Sequence, residues 1–283
     1  MPQSHSVSIS PCHHLHCRTG KAGPDQPVWL RRLTRLAPCL FSHILYRWSI
    51  TQDQDIATQL RAGIRYFDIR LVAVKGTFRV IHCLTGDLIS SVLDTLASWL
   101  ETHRGEIVVL DFQHFYQFSP GDHQVLIRLL LTRLAGLLCS WQQDLSQLSL
   151  ARLATSGAQV ILIYPAVSPE CQPYLWPRGL CLSPWPNTMS VTRLLQELTT
   201  QLDHHHHQPH PPPLFVSQAL LTPSQWTPVI HPLSSVKAQC ADRCHQPVLD
   251  WLLSDTLRPN IVITDYVRPD VVNIIINKNY NQK

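Results

Sequence analysis

Glycine and formal charge are both scarce in this 283-residue chain: it holds 10 Gly, and Asp, Glu, Lys and Arg together make up 15% of it. So few Gly beside 22 Pro argue for ordered loops rather than flexible linkers. A net charge of +4, spread along the chain, gives no nucleic-acid footprint, and no nucleic-acid partner is expected. The densest basic cluster, Arg31, Arg32 and Arg35, is expected to be a solvated helix face, with contact to an anionic membrane surface as the alternative. No apolar run is long enough to span a bilayer, and no basic region leads into an apolar stretch at the N-terminus. A cytoplasmic protein, or one peripheral at the cytosolic face of a membrane, is therefore expected. The nine Cys contain no Cys-x-x-Cys pair, and the spacings of Cys12, Cys17, Cys240 and Cys244 fit no zinc finger or ribbon despite nearby His, so reduced thiols are expected. A glycine-rich phosphate loop, a Gly-x-Ser-x-Gly elbow and a His-Glu-x-x-His pair are also absent.

What is present is an alternation of periods. Residues 54–62 carry Ile56 and Leu60 on one helical face, and Gly63 stops that helix. Residues 64–71 read as a strand and 78–81 as a second short one. A helical stripe follows at Leu88, Val92, Leu96 and Leu100, then the continuous apolar run 107–112 of a strand buried on both faces. Helices are expected over 125–138, 191–202 and 248–253, and strands over 158–164, 214–218 and 260–266. Apolar strands alternating with helices predict a parallel sheet with helices outside it. At this length the leading architecture is a closed or distorted (β/α) barrel of the TIM type, and a doubly wound open sheet is the alternative. The strands are expected to be neighbours and all parallel. No internal repeat and no second core is visible, so one domain is expected. The biased run 203–213, with His204, His205, His206, His207 and several Pro, is expected to be an exposed loop insertion.

In a parallel barrel the catalytic groups stand at the C-terminal ends of strands. The polar residues that end the predicted strands are Asp68 and Arg70, His82, Asp111 and His114, Tyr164, Gln218, and Asp265. Each has a structural reading when taken alone: Asp68 and Arg70 as an ion pair, His82 as a hydrogen-bonded core residue, Asp265 as a loop cap. Together, at successive strand ends, they suit acid–base work on a phosphate ester. Imidazoles move the protons, and a guanidinium holds the phosphoryl oxygens in its planar fork.

The stretches Trp48-Ser49-Ile50-Thr51-Gln52 and Gly63-Ile64-Arg65-Tyr66-Phe67-Asp68-Ile69-Arg70 resemble the X-domain signature of phosphatidylinositol-specific phospholipases C. The likeness continues through Val109-Leu110-Asp111-Phe112-Gln113-His114, Ser183-Pro184-Trp185-Pro186-Asn187-Thr188, Phe215-Val216-Ser217-Gln218 and Ile261-Val262-Ile263-Thr264-Asp265-Tyr266. It covers nearly the whole chain, and the small proteins built of the X domain alone resemble it most. The resemblance implies a distorted (β/α) barrel that acts on inositol phospholipid at a membrane surface. It makes His5 the general base on the inositol 2-hydroxyl, His82 the general acid, and Arg70 the phosphate-binding group. Asp265 becomes the carboxylate that orients His5, with Asp68 and Asp111 in support. Arg70 stands where calcium-dependent relatives carry a metal-binding acid, so neither a metal nor another cofactor is implied.

Several positions depart from the family pattern. Its Pro-Gly-Ser-His-Asp is here Pro2-Gln3-Ser4-His5-Ser6, and its His-Gly is His82-Cys83. Ser6 cannot carry the negative charge that would raise the proton affinity of His82. Weakened turnover is the expectation, and a non-catalytic relative that binds phosphoinositide or a protein is the first rival. A metal-dependent phosphodiesterase using His5, His82, Asp111 and His114 is the second. Because relatives normally carry a further segment before this motif, the chain is also expected to start late and to form a barrel that lacks its first strand.

Overall fold

The computed structural model describes residues 6–8, 23–26, 28, 31–32, 36, 38–141, 149–165, 173–254 and 256–280. Its strands, in chain order, are β1 (Ser6–Ser8), β2 (Tyr66–Val74), β3 (Thr77–His82), β4 (Leu84–Leu88), β5 (Val108–Tyr116), β6 (Val160–Ile163), β7 (Leu175–Trp176), β8 (Cys181–Leu182), β9 (Leu214–Gln218) and β10 (Ile261–Ile263). Eight of them form one parallel row in the order β7-β6-β5-β2-β1-β10-β9-β8. The outermost strands, β7 and β8, are consecutive in sequence and joined by only residues 177–180. Such a link spans at most about 18 Å, so the row curls round on itself as a distorted barrel. No hydrogen-bonded ladder joins β7 to β8 among the described residues.

Period-2 alternation explains the two apolar layers. Tyr66, Val109, Ile161, Ile163, Trp176, Val216 and Ile263 pack together inside the curled sheet. The intervening Phe67, Ile69, Leu110, Phe112, Leu162, Phe215 and Val262 pack outward against helices. Strands buried on both faces read as continuous apolar runs, which is why the sequence signals them so clearly. The helices include α1 (Pro38–Ser49), α2 (Ile56–Arg61), α3 (Ile89–Thr102), α4 (Pro120–Arg133), α5 (Leu150–Ser156), α6 (Val191–His206), α7 (Thr227–Ile230), α8 (Asp242–Leu253) and α9 (Pro269–Tyr280). Of these, all but α5 and α7 contribute to the outer layer; Leu153 of α5 joins the inner cluster, and α7 buries no residue.

Four expectations need correction. The 78–81 strand belongs to β3, which runs antiparallel to β2 and off the row. The reason is the two-residue connection Lys75-Gly76, with φ of +48° and +75°. Such a primed-type turn makes a hairpin, whereas a parallel neighbour needs a crossover of a dozen residues. Where a barrel without its first strand was expected, β1 stands between β10 and β2, pairing parallel with both. The His run is not wholly a loop: α6 continues through His206, and His205 is buried with its ring stacked 4.4 Å from that of Phe215. Finally, the helix expected over 125–138 starts at Pro120, where Ser119 and Asp122 form a reciprocal capping box, and stops at Arg133.

Gly63 ends the α2 turn at φ +99°, and a Cβ there would meet Val272 Cγ1 at 2.9 Å. Both the backbone and the packing against α9 exclude a larger residue. Gly63→Ala should cost about 1–3 kcal/mol, read as a lower urea midpoint at constant m; an unchanged midpoint would contradict this account of the turn.

Candidate active site

A cavity of about 410 Å³ opens at the C-terminal ends of the strands, and Asp68, Arg70, His82, Gln218 and Asp265 are among the residues lining it. The β2 strand supplies Asp68 and Arg70, and the Arg70 Nε lies 3.7 Å from Asp68 Oδ1. The β2–β5 register shifts between Ile69 and Arg70, which face Phe112 and His114, so Gln113 is the extra residue of a β-bulge. Bulges re-aim side chains and are common beside functional sites.

His82 ends β3. Its Nδ1–H donates to the Ser49 carbonyl at 2.9 Å, and that carbonyl is the last of α1. A helix C-terminus leaves such carbonyls without intrahelical partners, so the contact satisfies the helix, fixes the imidazole, and leaves Nε2 as its other ring nitrogen. Residues 23–26 lie across the following residue. Gly23 N–H donates to Cys83 O at 2.7 Å, Cys83 N–H donates to Asp25 Oδ2 at 2.6 Å, and Gln26 Nε2 donates to Cys83 Sγ at 3.1 Å. Asp265, two residues beyond β10, is held by backbone ties around it. Gln52 Nε2 donates to Thr264 O at 3.0 Å, Val267 N–H donates to Gln52 Oε1 at 3.2 Å, and Tyr266 N–H donates to Thr51 O at 2.7 Å. The Trp48-to-Gln52 motif thus serves as a brace between His82 and Asp265.

Burial dominates the electrostatics. It pushes Asp265 up to about 7, against the opposing pull of Arg70. It pushes Asp68 up to about 6; Arg70 again opposes and Asp111 adds to the rise. His82 moves the other way: burial first, then the Arg70 charge, lowers it below an ordinary imidazole, although the Ser49 hydrogen bond favours the protonated ring. All three shifts work against ionisation in this enclosed, Arg70-centred space.

Asp111 does not line the cavity. It is fully buried, where it accepts from the Tyr66 hydroxyl, from Gln113 Nε2 at 3.0 Å and from Arg178 Nη1. Its effect on the cavity passes through Asp68, its register partner across β2 and β5. Tyr164 also lies elsewhere: its hydroxyl meets His123 Nδ1 at 2.8 Å, between the sheet and α4. His114 is exposed, and the expected base His5 lies outside the described residues. The sequence reading missed the Ser49 carbonyl, Gln26 and Arg178. A backbone carbonyl carries no residue signature, and Arg178 stands 67 positions from its partner. Among the described residues no three His, Cys, Asp or Glu side chains gather as metal ligands.

No family model matches the chain. It is 31% identical over 258 residues to the mouse PI-PLC X domain-containing protein 2, covering 89% of this chain and 73% of that protein. Among solved structures, the phosphatidylinositol-specific phospholipase C from Listeria monocytogenes superposes with a TM-score of 0.64 at 16% identity, over 100% of this chain and 94% of that one. A structure concerned with the membrane binding of the Staphylococcus aureus enzyme gives 0.65 at 14% identity, over 98% and 93%.

The raised Asp265 carries a sign. The unfolded chain ionises this carboxyl near the ordinary value while the folded chain resists up to about 7, so its contribution to stability is full below about pH 4 and lost as the pH rises through about 7. Asp265→Asn should therefore gain stability relative to the wild type between pH 4 and pH 8, measured as the difference in urea midpoint at each pH. A difference that stays flat or shrinks would contradict the desolvation of the Asp265 carboxyl.

Proposed function

Because the chain belongs to the family of PI-PLC X domain-containing proteins, we propose that it is a phosphoric diester hydrolase that cleaves inositol phospholipid in the manner of a phospholipase C. The observation that carries this reading is the meeting of Arg70, His82 and Asp265, at or just beyond the ends of three separate strands, around one cavity of ligand size. In the proposed reaction His5 takes the proton of the inositol 2-hydroxyl, and that oxygen attacks phosphorus. Asp265 orients His5. The bond from phosphorus to the glycerol oxygen breaks, and His82, fixed through Nδ1 by Ser49, gives the leaving oxygen its proton from Nε2. Diacylglycerol and a cyclic inositol phosphodiester result, with no water consumed in this step. Arg70 holds the phosphoryl oxygens, and Asp68, 3.7 Å from its Nε, steadies the guanidinium. A lowered His82 makes a strong acid that is less populated near neutrality, so turnover falls as the pH rises above its value.

The rim of the cavity supports a lipid surface as the partner. Thr222, Ser224 and Pro228 line the opening, and Trp226, Val229, Ile230 and Leu233 beside them are exposed. Apolar side chains around a mouth that takes a phospholipid headgroup suit a peripheral contact with the interface, and among the described residues no helix is long and apolar enough to cross a membrane. A second reading, a relative that binds phosphoinositide with little or no turnover, is favoured by Cys83, a side chain held at φ +61° where the family pattern has Gly.

His82→Ala and Arg70→Ala should each lower turnover of a soluble inositol phosphodiester by about 100-fold or more, the usual scale of acid–base catalysis. Losses of tenfold or less would remove these roles, and a wild type that binds the ester without cleaving it would favour the second reading.

A further inference from the structure

Gln218 ends β9 and lines the cavity, opposite Ile263 of β10 in register. Its carboxamide is held from behind. Nε2 donates to the Ser183 carbonyl at 3.1 Å and to the Ser183 hydroxyl oxygen at 2.9 Å. A carbonyl only accepts, so the NH₂ must be the group that faces Ser183, and both its hydrogens are used there. Oε1 is thereby turned away from Ser183, and the side-chain hydrogen bonds that Gln218 makes among the described residues both run through Nε2.

The anchor is itself fixed. Two residues beyond Ser183, the Trp185 indole N–H donates to Thr222 Oγ1 at 2.8 Å, and Thr222 N–H donates to Thr188 O at 2.9 Å. Gln218 therefore presents an acceptor that is already oriented before any ligand arrives.

Charge decides what that acceptor suits. Arg70 is the one permanently charged cation among the described residues lining the cavity, and it stands on β2, three places from β9 along the row. Three strand spacings are about 14 Å along the curved wall, so a ligand phosphate held by Arg70 leaves another part of the ligand for Gln218. A neutral oxygen acceptor rewards a hydroxyl there. It opposes a second phosphate, whose oxygens are acceptors too, with no cation beside it to compensate.

We propose that Gln218 is a specificity-determining residue: its Oε1 accepts a hydrogen bond from a ring hydroxyl of the headgroup, and it selects a headgroup that is unphosphorylated at that position. The proposal rests on the inositol phosphodiester reading of the same cavity. Its test is binding and does not depend on turnover.

Dissociation constants for myo-inositol 1-phosphate and for inorganic phosphate would be measured by titration calorimetry on the full chain, as wild type, Gln218→Met and Arg70→Ala. The wild type should prefer the inositol ester. Gln218→Met, close in shape but with no hydrogen-bonding group of comparable strength, should weaken the inositol ester about five- to tenfold, the range of one hydrogen bond, and leave inorganic phosphate unchanged. Arg70→Ala should weaken both. Should Gln218→Met fail to fold, Ser183→Ala loosens the same amide and should weaken the inositol ester alone by a smaller factor. Equal losses for both ligands, no loss for either, or a wild type without ring preference would overturn the assignment. Selective binding in a wild type that cleaves nothing would leave the assignment standing and defeat the catalytic reading instead.

Discussion

The buried carboxylate of Asp111 is the constraint around which the barrel is organised. It has no exposure to solvent, and a carboxylate in that position must be supplied with donors or the fold loses several kcal/mol, about 3–5 for a broken buried pair. Its donors come from different parts of the chain: Tyr66 from β2, Gln113 from the bulge of its own strand, and Arg178 from the link between β7 and β8. The last matters most for architecture. The row of strands has no ladder between β7 and β8 among the described residues, and Arg178 reaches from that seam onto β5. The ion pair thus ties the β7–β8 link to β5 at the open side of the barrel.

The same pair sets the electrical floor of the cavity. Asp111 faces Asp68 across the β2–β5 register and adds to the rise of its proton affinity, while Arg70 first and then Arg178 pull it down. Arg70 is left as the focus of positive charge at the cavity, with two carboxyl groups that resist ionising and an imidazole that resists protonation around it. Such a space favours an anion of low charge. Asp111 thus acts on the cavity without lining it, through the charge state of its neighbour Asp68.

Much of this architecture was legible in the amino-acid sequence because the strands are buried on both sides. Runs such as 107–112 and 214–218 carry little ambiguity, and their polar ends, Gln218 and Asp265, were found by position alone. The hairpin of β3 was misassigned as parallel because its apolar residues signal a strand and not a direction; Lys75-Gly76 held that information. β7 and β8, of two residues each, are too short for any period to register. Arg178 was missed for the reason that long-range ion pairs usually are: nothing local marks it. The Ser49 carbonyl that fixes His82 is backbone, so only the surrounding motif pointed to it. Tyr164 ended a correctly placed strand yet faces α4, since neighbouring residues of a strand face opposite sides.

The most direct measurement of the central claim is the identity of the first product. Wild-type protein incubated with a phosphatidylinositol dispersion and followed by phosphorus NMR should release a cyclic inositol phosphodiester before any open-chain monoester, because attack by the ring hydroxyl consumes no water. Release of the open-chain inositol phosphate as the first product, or no phosphorus signal beyond the starting lipid, would contradict the account.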